Sequence, residues 1–331
     1  KEEAYLRPET CQTIFVDFPR IFKTMRGRLP LAVAQLGKSF RNEIAPRQSL
    51  FRLREFYQAE IEVFCNPNRL NELPKFDQVK DTPLLLSIKN SSHSVNAEDA
   101  IRKGYLPNKL VAYYISLLSL FYSKTGINME RTRFRQLSGE EKAFYASTAF
   151  DFEVETSIGW IELVACNYRS DYDLKRHGEI SKQNLHVIDP SDNTKVLPHL
   201  FELSMGIDRS IYSILDHSYY EDTEAERVVL KLVPQLAPVL VGVFPLVTKD
   251  GLREKAQYIY SELKLDYSAF YDESGSIGRR YRRLEEIGGP FALTVDNQTM
   301  KDDTVTIRYR DTMLQERVKV SEISVFLDAN K

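Results

Sequence analysis

Cysteine is scarce in this chain of 331 residues. Cys11, Cys65 and Cys166 are odd in number, far apart and outside any CxxC or histidine-rich setting. That pattern argues against a disulfide framework and against bound zinc, and it suits reduced thiols in the cytoplasm. Net charge is nearly absent too: Lys plus Arg total 45 against 47 Asp plus Glu. No long-range field advertises a polyanion, so any nucleic-acid surface must be a local patch. The longest apolar run, near residues 236–247, is interrupted by Pro238 and Pro245, and no charged-then-apolar leader opens the sequence, so no membrane association is expected. The two commonest phosphate cradles, GxxxxGK(S/T) and GxGxxG, do not occur. His93, His177, His186, His199 and His217 are scattered without metal-ligand spacing. Lys1 rather than Met stands first, directly before motif-like residues, which reads as part of a longer chain.

What is present is an ordinary globular composition, 43% hydrophobic and 28% charged, in a chain long enough for two domains. A composition change near residues 221–238, polar and then marked by Pro234 and Pro238, divides it into residues 1–228 and residues 236–331. The first part carries polar-alternating strands in neighbouring pairs with few helices, which predicts an antiparallel sheet in an α+β domain. Residues 66–108 read as loops and short helices, and residues 110–124 as an amphipathic helix. The second part alternates extended runs with helical stretches at residues 252–263 and 277–287, which predicts a small α/β domain with a largely parallel sheet.

Two constellations carry chemistry. Residues 32–64 read as a long hairpin with one wet and one buried face. Arg41 and Glu43 point the same way on one arm; after a loop with Pro46 and Arg47, the other arm sets Arg52, Arg54, Phe56, Gln58, Glu60 and Glu62 on one surface. Guanidiniums grip phosphate oxygens, an aromatic ring stacks a purine, and carboxylates hold an ammonium, so this face suits a nucleotide plus an amino compound. A solvated hairpin with charges paired across its strands would show the same alternation. The second constellation runs from Phe201 and Glu202 through Gly206, a strand-to-helix turn, to Arg209 in the first helical turn. A cation there opposes the helix dipole and suggests a bound anion, unless Arg209 simply pairs with Asp208 or Glu202.

Phe40-Arg41-Asn42-Glu43 with Arg54-Glu55-Phe56 and Gln58-Ala59-Glu60 resembles motif 2 of class II aminoacyl-tRNA synthetases, and Gly206-Ile207-Asp208-Arg209 resembles motif 3. Residues 5–10, 40–62, 159–162 and 169–174 are similar to glycyl-tRNA synthetases of the archaeal and eukaryotic type, and residues 275–281 and 286–288 to the anticodon-binding domain of that family. Motif 1 would lie before Lys1. Cys11-Gln12-Thr13 stands where the family has Ala-Gln-Gly, and the span from His177 to Pro198 is short beside the insertion of many relatives.

The resemblance implies a catalytic domain with a class II antiparallel sheet followed by an anticodon-binding domain. It implies activation of glycine by ATP with Mg2+ and transfer to tRNA(Gly), in a cytoplasmic protein that dimerises at full length. By position it assigns Arg41, Asn42, Glu43, Arg52, Leu53, Phe56, Glu162 and Arg209 to ATP, with Arg41 and Arg209 catalytic. Glu9, Gln58, Glu60, Arg169, Glu202 and Ser204 fall to glycine, and Glu162 or Glu202 lies near enough to be a magnesium ligand. Arg279, Arg280, Arg282 and Arg283, crowded at a helix start, and Arg310 fall to tRNA, although the second domain is not basic overall. A synthetase-like binding protein without aminoacylation, or a class II enzyme for another amino acid, would share much of this pattern.

Overall fold

The computed structural model describes residues 3–46 and 50–331, so Arg47 lies outside the described residues. The chain forms two compact units, one of Lys1–Ser123 with Asn128–Ser213 and one of Lys124–Ile127 with Ile214–Lys331.

The first unit begins with helix α1 (Gln12–Thr24) and the hairpin β1 (Leu31–Phe40) and β2 (Glu55–Cys65), followed by β3 (Pro83–Ile88), β4 (Ser91–Asn96), α2 (Ala97–Arg102) and α3 (Lys109–Ser123). Next come β5 (Thr132–Gln136), β6 (Thr148–Thr156), β7 (Gly159–Ser170), α4 (Tyr172–Ser181), the ribbon β8 (Val187–Asp189) and β9 (Thr194–Val196), β10 (His199–Gly206) and α5 (Ile207–Ser218). Eight strands make one sheet in the order β1-β2-β10-β7-β6-β5-β3-β4, antiparallel except between β3 and β5. The expected α+β sheet is therefore present.

Two expectations change. Residues 66–108 are not only loops and short helices, because β3 and β4 form a hairpin there whose Ser- and Asn-rich second arm lacks the usual strand residues. The wet and buried faces of the β1–β2 hairpin are also exchanged. Its polar row Gln58, Glu60 and Glu62 is buried, whereas Ala32, Ala34 and Leu36 of β1 are exposed. The polar row is covered by residues 7–11: Phe40 N–H donates to Arg7 O at 2.9 Å, and Thr10 N–H donates to the Glu60 carboxylate at 2.7 Å. Helix α1 closes that end by burying Ile14, Phe15 and Phe18 against Phe64, Leu174 and Leu200.

The second unit holds the ribbon β11 (Tyr219–Asp222) and β12 (Arg227–Leu230), then β13 (Val241–Pro245), α6 (Leu252–Leu263), β14 (Ala269–Tyr271), α7 (Ile277–Glu286) and β15 (Phe291–Val295). The chain ends with α8 (Thr299–Asp302), β16 (Thr304–Tyr309), β17 (Gln315–Lys319) and α9 (Ile323–Asn330). Its sheet runs β14-β13-β15-β16-β17, parallel across β14-β13-β15 and antiparallel through β16 and β17. It is thus mixed rather than largely parallel, because residues 310–314 return the chain as a short hairpin connection that has no room for a crossover helix. Helices α6 and α9 cover one apolar cluster, and Leu284 of α7 packs on Phe244 and Ala292. Gly242 permits that approach, since an added Cβ would lie 2.7 Å from Leu284 Cδ2.

Candidate active site

Strand register brings the first constellation together. On β2, Gln58, Glu60 and Glu62 face Gly206, Ser204 and Glu202 of β10, and Glu202 in turn faces Asn167 of β7. At the open end of this row lies a cleft of about 290 Å3, lined among others by Arg41, Glu43, Arg52, Phe56, Glu162 and Arg209. Leu53, Gln58 and Ser204 also line it; Asn42 is exposed and does not.

The cleft wall is cationic and aromatic. The Arg41 guanidinium stands 5.2 Å from the Phe56 ring centre, a cation–π arrangement. Arg52 Nε is 3.7 Å from the Glu43 carboxylate, and both groups remain partly exposed. Both arginines, with Glu43, belong to the loop and not to the strands, since β1 ends at Phe40 and β2 begins at Glu55. Strand alternation therefore does not govern their directions. Arg209, in the first turn of α5, donates to Glu162 O at 3.0 Å and to Phe51 O at 3.3 Å, with the Glu162 carboxylate at 3.4 Å. It pairs with neither Asp208 nor Glu202. Asp208 instead accepts the Tyr57 N–H at 2.7 Å, tying α5 to β2. The atoms nearest a Cβ on Gly206 would be those of the Arg209 side chain, from 3.4 Å, an ordinary contact, so steric exclusion by other elements is not why glycine stands there.

Behind the cleft lies an acidic corner. Glu60 accepts from Thr10 N–H at 2.7 Å, Thr10 Oγ1 at 2.5 Å, Gln58 Nε2 at 2.9 Å and Ser204 Oγ at 3.2 Å. Those four donors fill the acceptor sites a carboxylate has. Glu202 accepts from Arg169 at 2.9 Å and from Asn167 at 2.8 Å. Arg169 is itself clamped by Asp173 through two bonds of 2.6 Å and lies over the Tyr145 ring at 3.9 Å. The clamp holds Arg169 more firmly protonated even than usual, against the cost of burial. Glu9, half-buried, accepts from Gln12 at 2.6 Å.

For a divalent cation the two expected ligands differ. Glu162 is exposed at the cleft, and its carboxylate is a hard oxygen donor of the kind magnesium takes. Glu202 is buried behind the cleft without lining it, and each of its oxygens accepts one bond, from Asn167 and from Arg169, whose guanidinium already balances its charge. It is not a metal ligand in this arrangement.

The arginines of α7 do not assemble into one solvent-facing patch. Arg280 is buried, donating to Pro245 O and, at 2.7 Å, to Gly275 O. Arg282 donates to Ala225 O at 2.7 Å, and Arg283 binds Asp272 and Ser274 O. Arg310 is buried and donates to Leu230 O, Gly288 O and Asp311. Arg279 alone of the five is exposed. A helix start opposes clustered cations, and here backbone carbonyls and carboxylates resolve the conflict.

Several residues that build the site were given no role from sequence, namely Thr10, Phe51, Tyr57, Tyr145, Asn167 and Asp173, and Asp208 was read only as a partner for Arg209. Asp173 had a local signal, its i,i+4 spacing from Arg169 on the way into α4.

Comparison with known proteins agrees with this geometry. Residues 1–85 match the family described as tRNA synthetase class II core domain (G, H, P, S and T), and residues 240–330 match the anticodon binding domain family. The class is therefore that of the class II tRNA synthetases. Similar proteins include the glycine--tRNA ligase of Archaeoglobus fulgidus, 37% identical over 98% of this chain and 70% of the relative. Those of Pyrococcus furiosus (37%, 97% of this chain, 71% of the relative) and Methanocaldococcus jannaschii (37%, 99% and 72%) are equally close. The chain belongs to the glycine--tRNA ligase family. The alignment to the first relative spans 400 positions against the 331 residues here, so that relative carries internal segments this chain lacks.

Proposed function

We propose that this protein activates glycine with ATP and transfers the glycyl group to the 3′ end of tRNA(Gly). The observation that carries the reading is one shared hollow: Arg41, Phe56, Glu162 and Arg209 line a cleft whose floor continues through Gln58 and Ser204 into the buried carboxylates. Residues 1–228 are assigned catalysis and residues 236–331 anticodon binding, although residues 214–228 belong to the second compact unit.

In this mechanism the protein supplies position and charge, which are the main demands of phosphoryl and acyl transfer. Arg41 stabilises charge growing on the α-phosphate as the glycine carboxylate attacks. Phe56 and Arg209 take the two faces of adenine, Glu43 reads its edge, and Arg52 with Arg209 holds the outer phosphates. Bound magnesium would neutralise phosphate charge, with Glu162 as its protein ligand. Glycine has no side chain to recognise, so selection rests on acceptors for its ammonium and on filled volume. Glu9, Glu202 and Ser204 are the acceptors assigned here, with Arg169 fixing Glu202. Glu60, saturated by Thr10, Gln58 and Ser204, orders that corner.

Among the described residues no helix is long and apolar enough to cross a membrane. A cytoplasmic location and a homodimer at full length complete the proposal; the exposed row Ala32, Ala34 and Leu36 supports the latter as a face to be covered. The deciding experiment is pyrophosphate exchange with glycine, alanine, serine, threonine, proline and histidine in parallel, followed by charging of tRNA(Gly). Glycine alone should support exchange and Arg209→Ala should abolish it. Exchange with another amino acid, or none with any, would overturn the reading.

A further inference from the structure

Two glutamates of β2 lie two residues apart on one face, both buried, in opposite circumstances. Glu60 is met by four donors. Glu62 is fully buried, and neither of its oxygens is hydrogen-bonded. The charged and titratable groups facing it are Glu202 directly across on β10, Arg169 on β7, Asp173 on α4, Glu60 on its own strand and the Cys11 thiol at the start of α1. One oxygen of Glu62, one of Glu202 and Cys11 Sγ lie within 4.8 Å of one another. Arg169, the cation in this set, is already committed to Asp173 and Glu202.

An ionised Glu62 would therefore be desolvated with no donor to offset the cost. It would also set two anions on directly opposed residues, repelling Glu202 from the bonds it makes to Arg169 and Asn167. The same three groups suit a metal poorly, because the Arg169 cation already holds Glu202 and burial among carboxylates keeps the Cys11 thiol protonated.

Resting on the reading of the acidic corner given above, we propose that Glu62 is a positioning residue that carries a proton, and that as a neutral acid it keeps Glu202 as the single anion of the pair, aimed at the substrate ammonium. The acid–base directions agree. Burial, and then the Glu202 charge, push Glu62 well above the usual carboxylate range. Burial raises Glu202 too, and Arg169 and then Asn167 offset only part of that rise.

The sign of the linkage gives a test that needs no activity. A folded chain that keeps a proton its unfolded form releases above about pH 4.5 loses stability as pH rises, until the folded group also ionises. Gln at this position has no such term. Melting of the wild-type chain and Glu62→Gln from pH 5 to 8 should therefore show an advantage for the variant that widens by roughly 2 °C or more per pH unit. Parallel curves would overturn the proposal.

Glycine-dependent exchange gives the second arm. Glu62→Gln should keep the glycine KM within about threefold of wild type, whereas Glu62→Ala should raise it about tenfold or more. A rise of about tenfold in Glu62→Gln would make Glu62 a needed anion and overturn the neutral assignment. Should Glu62→Ala fail to fold, the Gln variant still decides. Absence of exchange in the wild type would defeat the functional reading while leaving the melting result to judge the proton.

Discussion

Saturation makes Glu60 the most sensitive carboxylate of the corner. Its amide replacement would turn an NH2 toward the donors of either Thr10 or Gln58, leaving a buried clash of donors. Glu60→Gln is expected to raise the glycine KM about tenfold or more in pyrophosphate exchange while the ATP KM stays within about threefold. Equal changes in both would remove Glu60 from the amino-acid corner. At this scale the sequence reveals the residues that spell recognisable stretches, Arg41, Glu43, Phe56 and Arg209 among them. It conceals those defined by distant partners: Thr10 meets Glu60 across fifty positions, and nothing local separates the occupied Glu60 from the orphaned Glu62. Arg280 and Arg310 mislead for a related reason, because the carbonyls of Pro245 and Gly288 that hold them are brought near only by the folded chain.

Among elements, α3, α6, α7 and the β1–β2 hairpin are legible because each has a strong apolar period or a paired run. The β3–β4 hairpin and the return of β16 into β17 are not, since Ser91–Asn96 and Gln315–Lys319 are polar edge segments stabilised by pairing rather than propensity. The last pairing has its own anchor. Asp296 accepts two hydrogen bonds from Arg317 of β17, at 2.7 and 3.0 Å, and also receives the N–H groups of Gln298 and Thr299 at the start of α8. Arg317 first, then those N–H groups, hold Asp296 down to about 2 against the opposing effect of burial. A depressed carboxylate contributes stability that is full above its unfolded value near 4 and is lost as pH falls through the folded one. Asp296→Asn should thus cost about 2 kcal/mol at pH 7, read by denaturant melts of the second unit's signal, and the deficit should vanish between pH 4 and 2. A deficit independent of pH would show packing, not charge, to be its source.

For the molecule as a whole, the division of labour between the two units is open to direct test. Arg279 is the exposed cation on α7, whereas Arg280 holds Pro245 and Gly275 in place. Arg279→Glu should weaken tRNA charging at low substrate, reduce the salt slope of tRNA binding by about one, and leave exchange untouched. Arg280→Ala should instead lower the melting temperature of the second unit by removing two carbonyl partners. If both variants melt and bind alike, the assignment of Arg279 to tRNA fails.

Residues 7–11 form no strand of the large sheet, yet they roof its polar row through Arg7 to Phe40 and Thr10 to Glu60. A cut or a substitution within this roof would strip the chemistry before the architecture, leaving the far-ultraviolet spectrum hardly altered while the polar row lay open to water.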